Sequence, residues 1–258
     1  MYNLYLTYVD KYFPNAVPVV DSFHVVQWVL QSIDFYIRSL VKTYRQKQRE
    51  AEEKKSADLG HPVSLPLSDE LYLLQKYRWL ILSNRNNITY YSNLRMDHHF
   101  YRLMNTYDYE SSLFRIPPGL RNLRDWKECY IQFNIRIAGH PLKVQEEIED
   151  LIDFYYKTGD EIFVDFASLL SEYRDPIINS FIMVEKNSPG GIYDSRPSNG
   201  PVESLNRKVK DLKRMGRGFR SFEHFRNSFL YSTRSNPPLI AVQDNNSLLN
   251  IEDDDPEV

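Results

Sequence analysis

A single cysteine, Cys129, stands in 258 residues, which excludes an intramolecular disulfide and a cysteine-based zinc cluster. Glycine is scarce as well, nine residues against 14 Phe, 19 Tyr and three Trp. That balance points to helices stitched by aromatics rather than to a turn-rich β architecture. No apolar run approaches the roughly 18 residues of a membrane span. The first residues lack the basic and apolar regions of a signal peptide. The expectation is a soluble protein of a reducing compartment with no membrane partner. What is present is ordinary for a globular chain, 42% hydrophobic and 26% charged residues, in a length that suits one domain carrying a large insertion.

The formal net charge of −3 hides a basic block. Between Glu203 and Arg226 eight cations face three acids, a net +5 in 24 residues. The C-terminus does the reverse, with Glu252, Asp253, Asp254, Asp255 and Glu257; such a tail is expected to be solvated and disordered. Near-neutrality of the whole therefore leaves room for a polyanion partner, because binding follows local patches.

Residues 2–12 read as a short helix. Val17, Val19 and Val20 form a β-branched run ending at Asp21, the best strand in the sequence. Val25, Val29, Leu30, Ile33, Ile37, Leu40 and Val41 then recur at helical spacing, and the helix continues through the charged stretch Arg45–Lys55 to Gly60. Ser68 can cap a further helix. More helices are expected near 97–108, 121–138, 142–157 and 160–184. The segment Asn187–Asn199, with two Pro and two Gly, reads as a loop. It leads into a strongly patterned helix from Pro201 to about Arg214, whose buried stripe is Leu205, Val209 and Leu212. Gly216 and Gly218 end it, and Ser221 can start another. A lone strand at 17–21 would leave its backbone groups unpaired. Either the start is more helical than it reads, or the partner strands lie before Met1.

Two patterns carry chemistry. With Gly200 as N-cap and Pro201 at the first helical position, Glu203 falls in the first turn, where the helix dipole favours an ionised carboxylate fit to bind metal. Asn206, Arg207 and Lys210 follow on the same face, which suits a phosphodiester beside a divalent ion. Equally, Glu203 can complete a cap and the cations can be a solvated face. The second pattern is Asp21-Ser22-Phe23-His24, an acid where a strand gives way to a helix, with a histidine able to bind metal, contact phosphate or move a proton. Its plain alternative is a helix cap. Asp97-His98-His99 looks like a metal site, but neighbouring side chains on a helix diverge, so a structural role is favoured. Tyr90, Tyr91, Tyr107 and Tyr109 read as core or interface aromatics rather than base-stacking platforms.

Taken in order, Phe13-Pro14-Asn15-Ala16, Val19-Val20-Asp21-Ser22-Phe23-His24-Val25 and Ser198-Asn199-Gly200-Pro201-Val202-Glu203-Ser204-Leu205-Asn206 resemble blocks of the DDE transposases of bacterial insertion sequences in the ISL group. The likeness continues through Val209–Arg214 and Gly216–Phe222 to Phe225-Arg226, covering the chain to about residue 232. It implies a mainly α fold with a remnant of an α/β ribonuclease-H-like core and a large helical insertion. Residues 1–29 would be the core remnant with Asp21, 30–190 the insertion, 191–232 the C-terminal core helices, and 233–258 the disordered acidic tail. Three acids in such cores hold two Mg²⁺ ions for in-line attack on phosphorus. The resemblance makes Glu203 the final acid, Asp21 a metal ligand or an accessory group, and His24 a contact to the scissile phosphate or an aid to proton transfer. Arg207, Lys208, Lys210, Lys213, Arg214, Arg217 and Arg220, with Asn206 beside them, would contact transposon-end DNA. The family's first catalytic Asp and its N-terminal modules have no counterpart here. The resemblance therefore implies a truncated transposase, inactive alone, acting in the bacterial cytoplasm at the nucleoid. The alternative is a non-catalytic remnant that binds DNA and pairs with an intact transposase or with the missing N-terminal part.

Overall fold

The computed structural model describes residues 11–116, 119–137, 141–188, 191–198, 200–216 and 218–233. The expected helix at 2–12 falls almost wholly outside them, as do Arg217 and the acidic tail. The chain divides into two units, one ending at Pro197 and one beginning at Ser198. Among the described residues the fold is mainly helical, and its sheets are two antiparallel two-stranded hairpins.

The first unit is built on α1, Ser22–Leu59, 38 residues long. Val25, Val29, Ile33 and Ile37 are fully buried along it, so the four-residue spacing in the sequence becomes one core-facing stripe. Leu40, Val41 and Tyr44 are the last of its side chains packed against the core, and Gly60 closes the helix in the left-handed conformation at φ 72°, which costs glycine nothing. The chain then returns along α1, held by a ladder of side chains one turn apart. Val63 N–H donates to Ser56 Oγ at 2.9 Å, Leu65 N–H to Glu52 Oε1 at 2.9 Å, and Ser68 N–H to Gln48 Oε1 at 3.3 Å.

Ser68 caps α2 (Asp69–Lys76) as its type predicts, accepting from Leu71 N–H. Short α3 (Trp79–Leu82) follows. The stretch expected as a helix over 97–108 is instead a hairpin, β1 (Arg95–Asp97) against β2 (Arg102–Met104), followed by α4 (Thr106–Leu113). The Asp97 side chain makes the difference: its Oδ1 accepts the N–H groups of His99 and Phe100 at 2.8 and 3.0 Å, turning the chain where a helix would have continued.

Three helices complete the core: α5 (Leu120–Arg136), α6 (Pro141–Thr158) and α7 (Glu161–Glu172). Gly159 at φ 67° and Asp160, whose carboxylate accepts from Ile162 and Phe163 N–H, make the tight corner between α6 and α7. Aromatics fill the centre: Tyr130, Tyr155, Phe163 and Phe166 are fully buried, with Trp28 of α1 stacked on Phe166 at 5.7 Å. α5 also buries charge, because each charged group has a partner. Lys127 donates to Ile81 O at 2.9 Å and Ser83 O at 2.5 Å, capping α3, and pairs with Glu128 at 2.8 Å. Arg124 pairs with Glu110.

The expected helix 160–184 is interrupted at Tyr173, where α8 (Arg174–Asn179) begins, and gives way to β3 (Val184–Ser188). β3 pairs with β4 (Gly191–Ser195), so most of the expected loop 187–199 is a hairpin arm. The strand expected at 17–21 does not form. Its residues are extended but pair with a helix end: Val20 N–H donates to Pro176 O at 3.0 Å, and Asn179 Nδ2 donates to Pro18 O at 3.0 Å. Two backbone groups of the run thereby find partners on α8.

The second unit holds α9 (Gly200–Met215) and α10 (Phe222–Ser232), the latter capped by Ser221 as expected. The stripe predicted to be buried is only partly so, and Leu205 stays 43% exposed. Phe219 packs against Phe225 at 5.2 Å. Gly216 makes room for this, since a Cβ there would meet the Phe219 ring at 2.7 Å.

Candidate functional site

In the first unit, Asp21 stands where the pinned extended segment meets the N-terminus of α1. It is the N-cap, accepting Phe23 N–H on Oδ1 at 2.9 Å, so its charge sits at the positive end of a long helix dipole. His24 is half-buried in the first turn, its ring edge-on to Phe23 at 5.6 Å. The cap geometry of the plain alternative is thus present, and it leaves a carboxylate and an imidazole near one helix end.

Arg196 joins this neighbourhood from the far end of the same unit. Its guanidinium lies 3.7 Å over the Phe181 ring and donates to the Ser180 carbonyl at 2.8 Å and hydroxyl at 2.9 Å. Burial lowers its pKa, and the adjacent Tyr130 and Asp21 oppose that fall. A cation in electrostatic reach of Asp21 can hold a phosphate close to the acid. Sequence reasoning missed Arg196, a lone arginine in a Pro- and Ser-rich stretch. The only available signal was its position seven residues ahead of Glu203.

In the second unit, Glu203 lies in the first turn of α9, as the sequence predicts. It shares a shallow polar groove with Asn206, Arg207, Lys210, Asp211 and Arg214. These positions follow i, i+3, i+4, i+7, i+8 and i+11, a single helix face. Arg214 and Asp211 approach to 3.6 Å as an exposed pair, which contributes little to stability. Lys208 lies off this face by helical geometry. Lys213 instead borders Gly218, Phe219, Phe222 and Phe225, and Arg220 is exposed in the turn before α10. The structure therefore gathers Asn206, Arg207, Lys210 and Arg214 beside Glu203 and places Lys208, Lys213 and Arg220 off that face; Arg217 lies outside the described residues.

No three His, Cys, Asp or Glu side chains among the described residues come together in a way that could hold a metal ion. Asp21 and Glu203 fall in different units, and the Asp21 carboxylate is engaged as a cap. This donor set does not by itself fit a two-ion centre, which takes more carboxylate than two side chains supply. In the Asp97-His98-His99 run, Asp97 and His99 make structural contacts, although the run turns a hairpin and is not the helix on which the sequence argument rested. Asp97 is only 4% exposed, with the hydroxyls of Tyr72 and Tyr109 on Oδ2 and two backbone N–H groups on Oδ1. His99 stacks on Tyr72 at 4.1 Å and meets Asp69 at 2.9 Å.

No helix of the described residues is long and apolar enough to cross a membrane. No curated protein and no solved structure matches the chain. A family model does: that of the ISL3-group DDE transposases, described as Transposase, matches residues 1–229. The match runs through both the Asp21 block and the basic α9 face in one stretch, and it covers most of the 258 residues. The chain belongs to the ISL3-group DDE transposase family.

Proposed function

We propose that the chain acts on DNA at transposon ends, as part of the apparatus that cuts and joins strands by phosphodiester transfer. The observation that carries this reading is the α9 face, where two acids, Glu203 and Asp211, and three cations line a single groove in a transposase-family chain. Glu203 is the family's final acid. Arg207, Lys210 and Arg214 hold successive phosphates with Asn206 beside them, and Lys208, Lys213, Arg217 and Arg220 add further contacts. Such contacts position DNA without reading its sequence. Asp21 is the acid of the Asp-x-x-His motif, His24 steadies the scissile phosphate, and Arg196, in electrostatic reach of Asp21, shares that task.

On this reading residues 1–29 and 191–232 belong to a ribonuclease-H-like core, 30–190 form its helical insertion, and the place of action is the bacterial nucleoid. Family members use divalent metal, and the third acid of a metal centre has to come from outside the described residues. Until it does, the chain binds DNA without cutting it. A chain used only in that way, paired with an intact transposase as a non-catalytic subunit, is the second reading. The two-acid count among the predicted site residues favours it.

A chimera tests the catalytic reading. With residues 1–232 replacing the matching part of an active ISL3-group transposase, cutting at the transposon ends is expected in the presence of divalent metal. Glu203→Gln should abolish cutting and keep DNA affinity. Cutting that persists in E203Q overturns the assignment, and a chimera that binds but never cuts favours the non-catalytic reading.

A further inference from the structure

Away from Asp21, the β1–β2 hairpin closes with α2, α3 and α4 around a cleft of about 530 Å³, within the usual size of small-ligand sites. Five aromatics line it: Tyr72, Tyr77, Trp79, Tyr91 and Tyr109. Its floor is fixed by stacking and hydrogen bonds. Tyr77 and Tyr109 lie nearly parallel at 3.9 Å, and the Tyr72 and Tyr109 hydroxyls both donate to Asp97 Oδ2 at 2.7 Å. Asp97 is the one acid among the lining residues. Four donors already engage its two oxygens, which fixes its single charge at the floor of the cleft. Two aromatics remain open to solvent: Trp79 is 42% and Tyr91 61% exposed. Exposed Lys76 and Arg95 stand at the same cleft, giving it positive charge in a chain of net −3.

Open π-faces beside cations and without a free carboxylate match an unpaired nucleobase flanked by phosphates. Bases stack on such faces whatever their identity, while the cations follow the backbone. We propose that this cleft takes an unpaired base of the DNA strand, stacked on Trp79 and Tyr91, with Lys76 and Arg95 on the neighbouring phosphates. The inference rests on the DNA reading above and adds a second contact, specific for unpaired strand, far along the sequence from α9. Tyr109 packs against the core as expected, and the proposal gives exposed Tyr91 a role beyond that expectation.

The test uses the full chain and two probes, a fully paired duplex and the same duplex with one unpaired 2-aminopurine, titrated by fluorescence. The wild type is expected to prefer the unpaired probe by about ten-fold, a size typical of one stacked base, and to quench its emission. Trp79→Ala and, separately, Tyr91→Ala should remove the preference and the quenching while leaving paired-duplex affinity unchanged. Tyr91 is the more exposed of the two, so its variant answers the question if the tryptophan change disturbs folding. Equal binding of both probes by the wild type overturns the cleft proposal and leaves the α9 reading standing. Failure to bind either probe overturns both. A preference that persists in both variants overturns the assignment, as does a changed sedimentation coefficient with unchanged base preference, which would mark the cleft as a protein contact.

Discussion

Burial pushes the Asp97 carboxyl towards its neutral form, but the hydroxyls of Tyr109 and Tyr72 and the N–H groups of Phe100 and His99 outweigh that and pull its pKa down to about 2. The folded value lies below the ordinary 3.8. The ionised network therefore stabilises the fold above pH 4 or so, and that stabilisation is lost as the pH falls towards 2. Its size is about 2 kcal/mol. Acid unfolding followed by circular dichroism should show this loss in the wild type. In Asp97→Asn, stability should start lower at neutral pH and fall less across the same window; parallel curves would contradict the assignment. The sequence favours a structural Asp97 on the premise of a helix there, whereas its structural role comes from turning a hairpin. It does not reveal Tyr72, 25 residues away, or Tyr109, because hydroxyl partners follow no periodicity. Glu203 and Asp21 are legible because local backbone rules place both at helix starts. Arg196 is not, because its nearness to Asp21 arises only when the two ends of one unit meet.

Among the elements, α1 shows both sides of legibility. Its apolar stripe predicts the core-facing half, and Gly60 predicts the end. The outer half has no such stripe, yet Gln48, Glu52 and Ser56 give it a partner by binding the returning chain. Glu52→Ala should speed amide exchange at Leu65 by about ten-fold, the effect of losing a hydrogen bond to a charged acceptor, and leave Val29 to Ile37 unchanged. Unchanged exchange at Leu65 would show that the ladder does not hold the return segment. The two hairpins escaped sequence reading for different reasons. β1 and β2 are three residues each, too short for alternation to register, and Tyr101 makes their turn with φ 50° where a glycine would have been the visible signal. In the 184–195 arm, the proline and glycine content masks the strands. The β-branched run Val17–Val20 correctly implies extended backbone, but its partner is the carbonyl end of a helix.

At the scale of the molecule, a net charge near zero conceals segregation. The basic α9 face lies in one stretch of sequence and the acidic residues 252–257 in another. The family match spans the chain from its start to α10, so the long helical stretch belongs to the family pattern as much as the two motif blocks do. The central claim is that α9 carries DNA by its phosphates, and this claim has an electrostatic signature. The most direct measurement is the salt dependence of duplex binding by the full chain and by its R207Q/K210Q/R214Q variant. Each lost phosphate contact should flatten the plot of log affinity against log salt by about 0.9. The account predicts a slope shallower by nearly three in the variant, with weaker binding at low salt; identical slopes and affinities would contradict it.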